Sequence, residues 1–95
     1  MKLIALEVEN PEAKPEQFAP LLKDEAKAVW ELHQKGFIRE AYFRTDRHTA
    51  VLVLECENVL QAQEVLSTLP LVQHDLIRFD IMPLAPYSGF SRLFV

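Results

Sequence analysis

Four segments of this 95-residue chain have the residue patterns of β-strands, either apolar–polar alternation or a high content of β-branched and aromatic residues. The predicted strands cover residues 2–9, 37–44, 49–56 and 75–82. The last strand alternates most clearly, with Ile77, Phe79 and Ile81 on one face. Arg78 and Asp80 lie on its other face, so this strand is predicted to bury one side.

The first strand is predicted to turn Ile4, Leu6 and Val8 toward the core. Its opposite face, with Leu3 and Ala5, is also apolar, and residues 50–54 are apolar throughout. A sheet with one face in water alternates more cleanly than this. Both faces of the sheet are therefore predicted to be covered, one by helices and the other by something outside the chain.

Two helices are predicted, near residues 16–35 and 58–69. Because Pro20 does not suit a helix interior, the first is expected to have a short turn at 15–19 before its main part. Gly36 is expected to end this helix. Its predicted core stripe has helical spacing and consists of Leu22, Ala26, Val29, Trp30 and His33.

The second helix begins with a capping pattern, Asn58 followed three residues later by Gln61, and Pro70 is predicted to end it. The resulting order, βαββαβ, predicts an α+β, ferredoxin-like fold with a four-stranded antiparallel sheet and two helices on one face. We expect a single domain over residues 1–95. The segment after Pro83 is too apolar to lie in water, which indicates an interface. Its apolar residues are Tyr87, Phe90, Leu93, Phe94 and Val95.

The formal charge of −4 and the pI near 5.3 argue against nucleic-acid or anionic-membrane partners, which need clustered basic residues. No apolar run is long enough for a membrane span. The amino terminus is interpreted as a strand, because Glu7 interrupts its apolar run. The single cysteine, Cys56, follows a run of valines and leucines and is expected to be a buried, inert thiol. Because a single cysteine cannot form an internal disulfide, a cytoplasmic location is expected.

Three features of the chain resemble the dimeric α+β barrel superfamily, and within it the small muconolactone isomerase-like proteins. They are Gly36 with Arg39 three residues later, Leu69-Pro70-Leu71, and Pro83-Leu84-Ala85. The resemblance implies that two sheets pack face to face into a barrel, as a homodimer or a ring of dimers. It also implies that the carboxyl-terminal tail, residues 84–95, packs on a partner subunit.

No strong catalytic, metal or phosphate-binding motif is present, and no cofactor is expected. His33 is the predicted catalytic acid or base, because imidazole titrates near neutral pH. The alternative is a helix-end histidine without a catalytic role. Trp30 would supply an apolar wall and an indole N–H for a ligand oxygen. Arg39 would hold an anionic group, or would instead belong to a structural ion pair.

Tyr42 and His74 complete the predicted substrate-binding set. Tyr42 and Arg39 lie three residues apart on one strand and therefore on opposite faces, so which face lines the pocket stays open. For His74 the alternative is a solvated loop histidine. His48, in the polar loop between the second and third strands, is expected to be solvated.

The resemblance favours a cofactor-independent isomerase or lyase that acts by proton transfer on a small, carboxylated, lactone-like compound. Two alternatives stay open. One is a non-catalytic module for small-molecule binding or assembly, and the other is a cofactor-free oxygenase of the same superfamily. Whether the protein is an enzyme is left undecided by the sequence. The expected partners are a second copy of the chain and a small-molecule ligand.

Overall fold

The four predicted strands form one antiparallel sheet in a computed structural model that describes residues 1–95. The strands are β1 (Lys2–Glu9), β2 (Ile38–Phe43), β3 (Ala50–Glu55) and β4 (Ile77–Pro83). Their spatial order is β2-β3-β1-β4, which places β1 and β3 in the middle of the sheet. The helices pack on one face, so the predicted α+β, ferredoxin-like fold is confirmed.

The helical segments lie in or directly beside the two regions where helices were predicted, and in the segment after β4. They are α1 (Pro15–Phe18), a 3₁₀ turn (Ala19–Leu21), α2 (Leu22–Gln34), α3 (Val59–Leu66), α4 (Pro70–Gln73) and a second 3₁₀ segment (Gly89–Phe94). Gly36 follows α2 with a φ of 87°, a conformation that side chains disfavour. The Asn58 side chain accepts a 2.8 Å hydrogen bond from the Gln61 amide at the start of α3. No helix of the chain combines the length and apolarity that crossing a membrane requires.

The predicted role of Pro70 as a helix terminator is wrong. α3 already ends at Leu66, and Pro70 is the first residue of α4. Proline suits this position because its missing N–H is not needed there and its φ is already helical. Pro83 ends β4, one residue beyond the predicted end of that strand.

The predicted inner face of β1 is also wrong. Leu3 and Ala5 are fully buried under the helices, and they lie opposite the buried Leu54 and Leu52 of β3. Ile4, Leu6 and Val8 therefore lie on the helix-free side. The pattern was misleading because both faces of β1 carry apolar residues, while Glu7 and Glu9 lie on the helix side with Leu3 and Ala5.

The core stripe predicted for α2 is displaced around the helix. Leu32 is the buried residue of α2, and Ala28 and Val29 pack against the core beside it. Leu22 and Trp30, which were assigned to the core, are 52% and 58% exposed. The helix carries two neighbouring apolar stripes, and only the one that includes Leu32 faces the sheet.

A β-bulge interrupts the alternation predicted for β2. Ile38 pairs with Leu54, but the next paired residue is Glu40, opposite Val53, so Arg39 is the extra residue. As a result Ile38 lies on the helix side together with Ala41 and Phe43, whereas unbroken alternation would place Ile38 on the opposite face from them. Ile38 is almost completely buried.

The helix-free face of the sheet, called the open face below, is largely apolar. Its apolar residues are Ile4, Leu6, Val8, Val51, Val53 and Met82. On β4 the same face carries Arg78 and Asp80, which form an ion pair with each other. Within one protomer nothing packs over this face.

Candidate functional site

Glu7 lies on the helix side of the central strand β1 and is half-buried. Its Oε1 accepts a long hydrogen bond, 3.3 Å, from the amide of Ala50 at the start of β3. Burial raises the pKa of the Glu7 carboxyl above its ordinary value of 4.5, and the Ala50 N–H offsets this only in part. Glu9 and Glu25 raise this pKa further, and His48 lowers it.

Glu25 lies in the first turn of α2, above the same end of the sheet, and is also half-buried. Its Oε1 accepts a 3.0 Å hydrogen bond from the Leu71 amide in α4. Burial raises the pKa of this carboxyl as well, and the Leu71 N–H lowers it. Two partly desolvated carboxyls therefore share the space between α2 and the sheet. Half-buried carboxyls whose pKa is raised in this way are candidates for functional sites.

Next to Glu7, the helix side of the sheet ends in an aromatic pair. Phe43 stacks on His48 of the β2–β3 loop, with ring centroids 4.0 Å apart. Phe43 is 60% exposed, although its face of the sheet is the one that the helices cover elsewhere. His48 is exposed, as predicted.

His33 lies at the other end of α2. Its Nδ1 is 2.8 Å from the carbonyl oxygen of Ile38. Because a carbonyl can only accept, Nδ1 carries the proton in this contact and Nε2 is left as the acceptor. The imidazole lies 5.6 Å from the Trp30 ring between centroids, and both residues are exposed.

Arg39 is exposed, and its Nε donates a 2.7 Å hydrogen bond to the Gly36 carbonyl. The guanidinium thus closes the chain reversal between α2 and β2. It has no carboxylate partner inside the domain, and its terminal nitrogens are left for other partners. Arg39 lies at the same end of α2 as Trp30 and His33.

Tyr42 lies on the open face, where its hydroxyl donates a 2.5 Å hydrogen bond to Glu40. This bond and the nearby charge of Glu40 raise the pKa of the phenol. His74 caps the end of α4, is exposed, and lines a shallow depression of about 280 Å³. The depression is otherwise lined by Gln17, Pro20, Leu21 and Leu76.

The five residues predicted from the sequence therefore occupy three places. Trp30, His33 and Arg39 lie together, whereas Tyr42 is on the opposite side of the sheet and His74 is near the start of α2. Glu25 and His33 are about 12 Å apart along the helix axis, at 1.5 Å per residue. The sequence analysis did not identify the Glu7–Glu25 pair. The sequence contains the pattern for this pair. Glu25 lies seven residues before the buried Leu32 and so on the same side of α2, and Glu7 lies two residues after the buried Ala5 and so on the same face of β1.

A second shallow depression, of about 260 Å³, lies where β1 ends. Its lining includes Glu9, Asn10, Asp75 and Arg78. The Asn10 side chain donates to the Asp75 carbonyl at 2.9 Å, which ties the two loops at this edge. No three histidine, cysteine or acidic side chains gather in an arrangement that could hold a metal ion.

No protein-family profile matches the chain, and no curated protein matches it in sequence. Solved structures do match. Muconolactone isomerase superposes with a TM-score of 0.75 at 18% identity, over 94% of this chain and 93% of that one. The 5-chloro-2-hydroxyhydroquinone dehydrochlorinase of Burkholderia phenoliruptrix AC1100, in complex with 2,5-dihydroxybenzoquinone, superposes with a TM-score of 0.66 at 12% identity, over 94% of this chain and 98% of that one. The chain therefore shares its α+β fold with muconolactone isomerase and with this dehydrochlorinase, as its resemblance to muconolactone isomerase-like proteins predicted.

Proposed function

We propose that this protein is a cofactor-independent isomerase or lyase that moves a proton on a small oxygenated ring compound. The single observation that carries the proposal is the half-buried Glu7 carboxyl, whose pKa burial raises, on the helix side of the central strand. A general base works best when its pKa approaches the working pH, and partial burial moves a carboxylate in that direction.

The names of the structural neighbours support this substrate class. One is named for a lactone and the other for a chlorinated hydroxyhydroquinone, and both compounds are small oxygenated rings. A carboxylated lactone is the first compound to test. The exposed face of Phe43, next to Glu7, would give such a ring an apolar surface.

His33 is the second candidate for the base, because the Ile38 carbonyl leaves its Nε2 free to accept a proton. In that arrangement Trp30 would contact the ring of the ligand, and the terminal nitrogens of Arg39 would bind its carboxylate. Tyr42 and His74 lie too far from this group to act with it on one small ligand in one protomer.

The test is an ultraviolet assay of proton transfer on a panel of lactones, enol lactones and hydroxylated quinols. If Glu7 is the base, Glu7→Gln lowers kcat by about a hundredfold or more, the usual contribution of a general base. Glu9→Gln, an exposed carboxylate on the same strand, is the matched control and keeps near-normal turnover. The parent rate should rise with pH through a pKa above 4.5. Loss of activity in His33→Gln but not in Glu7→Gln would move the base to His33.

A non-catalytic binding or assembly module is the second candidate function. It is favoured by the exposure of all three histidines, His33, His48 and His74, and by the open form of both depressions. In this case compounds from the same panel would raise the melting temperature without being converted.

We further propose that the protein self-associates through the open face, as a homodimer or a ring of dimers, with residues 84–95 packing on a partner. The apolar open face and the ion pairing of Arg78 with Asp80 support this, because charges buried in an interface need partners. The buried free thiol of Cys56 supports a cytoplasmic location.

A further inference from the structure

Three neighbouring strands bring Phe43, Ala50 and Glu7 into one row on the helix side of the sheet. Phe43 of β2 pairs with Ala50 of β3, and the Ala50 amide donates to the Glu7 carboxyl of β1 at 3.3 Å. Adjacent strands lie about 4.8 Å apart, so the backbones of Phe43 and Glu7 are about 10 Å apart. The alanine between them has the smallest side chain of the row, which leaves room for one flat ring beside the carboxyl.

The loop between β2 and β3 holds His48 beside this row. The imidazole stacks on the Phe43 ring, with centroids 4.0 Å apart and an interplanar angle of 22°. Arg44 forms a two-pronged ion pair with Asp46, at 2.8 and 2.5 Å, and its amide donates to the Thr49 carbonyl at 2.9 Å. The loop therefore has its own hydrogen bonds, and His48 is exposed where a ligand can reach it.

The charged groups around Glu7 include one that can be a cation. Burial raises the pKa of the Glu7 carboxyl most, and Glu9 and Glu25 raise it further. His48 lowers this pKa, so it is the only one of these three neighbours that brings positive charge to the carboxyl. When a base removes a proton from carbon, negative charge develops on the substrate, and an acid placed at that charge stabilises it. Beside three carboxyls, the imidazolium of His48 is the group suited to this role.

We propose that His48 is the acid partner of Glu7 in proton transfer and donates an imidazolium N–H to the ring oxygen on which negative charge develops. The proposal rests on the function proposed above, with Glu7 as the base. The Glu7 carboxylate takes a proton from the carbon next to a ring carbonyl. The C–H electron pair forms a carbon–carbon double bond, and the carbonyl π pair takes the His48 proton, which gives a neutral enol.

The second half of the reaction runs in the opposite direction. The Glu7 carboxyl gives its proton to the carbon at the far end of the conjugated enol, while the neutral His48 imidazole takes back the O–H proton. The carbonyl reforms, the ring double bond has moved, and both side chains regain their starting charges. No oxidant, reductant or second substrate is consumed.

A variant that keeps the stacked ring but lacks the proton tests this role. The probe is α-angelica lactone, an uncharged enol lactone whose conjugated isomer is followed by ultraviolet absorption. His48→Phe can still stack on Phe43, and it is expected to lower kcat by about a hundredfold or more with little change in KM. Arg47→Phe, at the neighbouring exposed position of the loop, is the control and keeps the parent rate.

Chemical rescue separates proton donation from a structural role. In His48→Ala the loop lacks the ring, and free imidazole in the buffer should restore part of the lost kcat. The same imidazole should not restore Glu7→Gln. A His48→Phe variant with parent-like kcat overturns the proposal, and so does an inactive His48→Phe combined with a His48→Ala variant that imidazole does not rescue.

The role of His48 and the proposed function fail in different ways. Turnover that is lost in Glu7→Gln but kept in His48→Phe refutes only the role of His48. A parent protein that converts neither α-angelica lactone nor any other compound of the panel refutes the proposed function and the role of His48 with it. Melting curves by circular dichroism accompany each assay, and parent-like melting temperatures show that the loss of turnover is not a loss of folding.

Discussion

At the scale of single residues, backbone geometry determines which partners the polar side chains contact. The sequence predicts that Arg39 either holds an anionic group or belongs to a structural ion pair. The bulge at Arg39 removes it from the alternation of β2, and its Nε donates to Gly36 instead. A bulge depends on pairing with β3, so this contact of Arg39 could not be predicted from the local pattern.

Glu25 gives the clearest prediction at this scale. Burial raises the pKa of its carboxyl above 4.5, so the folded protein favours the protonated form. Stability from this preference is present below the unfolded-state pKa and is lost as the pH rises through the folded-state pKa. Glu25→Gln does not titrate and keeps an oxygen that can accept the Leu71 N–H. It should be more stable than the parent at pH 7, by less than about 1 kcal/mol because water still screens half of the group.

Urea unfolding of the two proteins between pH 4 and pH 7.5 checks this prediction. The difference in unfolding free energy should shrink toward pH 4, where the parent carboxyl is protonated as well. Glu64→Gln, at an exposed position of α3, serves as the control and should show a flat difference. A Glu25→Gln difference that stays constant over the whole range contradicts the assigned pKa direction.

At the scale of elements, the positions of strands and helices were predictable, but their orientation was less so. β4 was predicted correctly because its charges all lie on one face. The core-facing sides of β1 and α2 were not predicted correctly, since each of these elements has apolar residues on more than one side. In β1 the two faces are nearly equal in apolar character, and the deciding factor is the register with Leu52 and Leu54 of β3. When an element has apolar residues on two faces, its pattern does not predict which face packs on the core. The second apolar face then indicates a further packing partner.

The start of α3 was predictable because its determinants are local. The Asn58 side chain accepts from the Gln61 amide at 2.8 Å, and the Gln61 side chain accepts from the Glu57 amide at 2.6 Å. Asn58→Ala removes the first of these bonds and should lower the free energy of unfolding by about 1 kcal/mol. Asn58→Asp keeps an acceptor at this position and is the control. Chemical denaturation at pH 7 measures both, and equal losses in the two variants would mean that the cap bond does not stabilise the helix.

At the scale of the whole molecule, the protomer has more apolar surface than it can bury. The core between the helices and the sheet is complete, yet the open face, the side of α2 that carries Leu22 and Trp30, and the segment after β4 stay uncovered. This excess was visible in the sequence, because residues 50–54 are apolar on both faces and the tail has a high content of aromatic residues. The location of the candidate site was not predictable, since Glu7 and Glu25 come within electrostatic range of each other only in the folded chain. A chain of 95 residues buries a modest fraction of its surface alone and gains stability from association.

Val53 tests the association at the centre of the open face, where it lies opposite Ile4 on β1 and Glu40 on β2. In a lone protomer a lysine at this half-exposed position can extend its amine into water. Between two packed sheets the same amine would be desolvated, and its one acidic neighbour, Glu40, already accepts from the Tyr42 hydroxyl, so the cost is about 3 kcal/mol or more, which is about a hundredfold in Kd. Light scattering at micromolar concentration should therefore give the parent at least twice the 11.0 kDa protomer mass and Val53→Lys the protomer mass. Gln63→Lys, exposed on α3, should keep the parent mass, and circular dichroism should show that all three proteins are folded. A parent that is already monomeric, or a Val53→Lys variant that stays assembled, would show that the open face is not the interface.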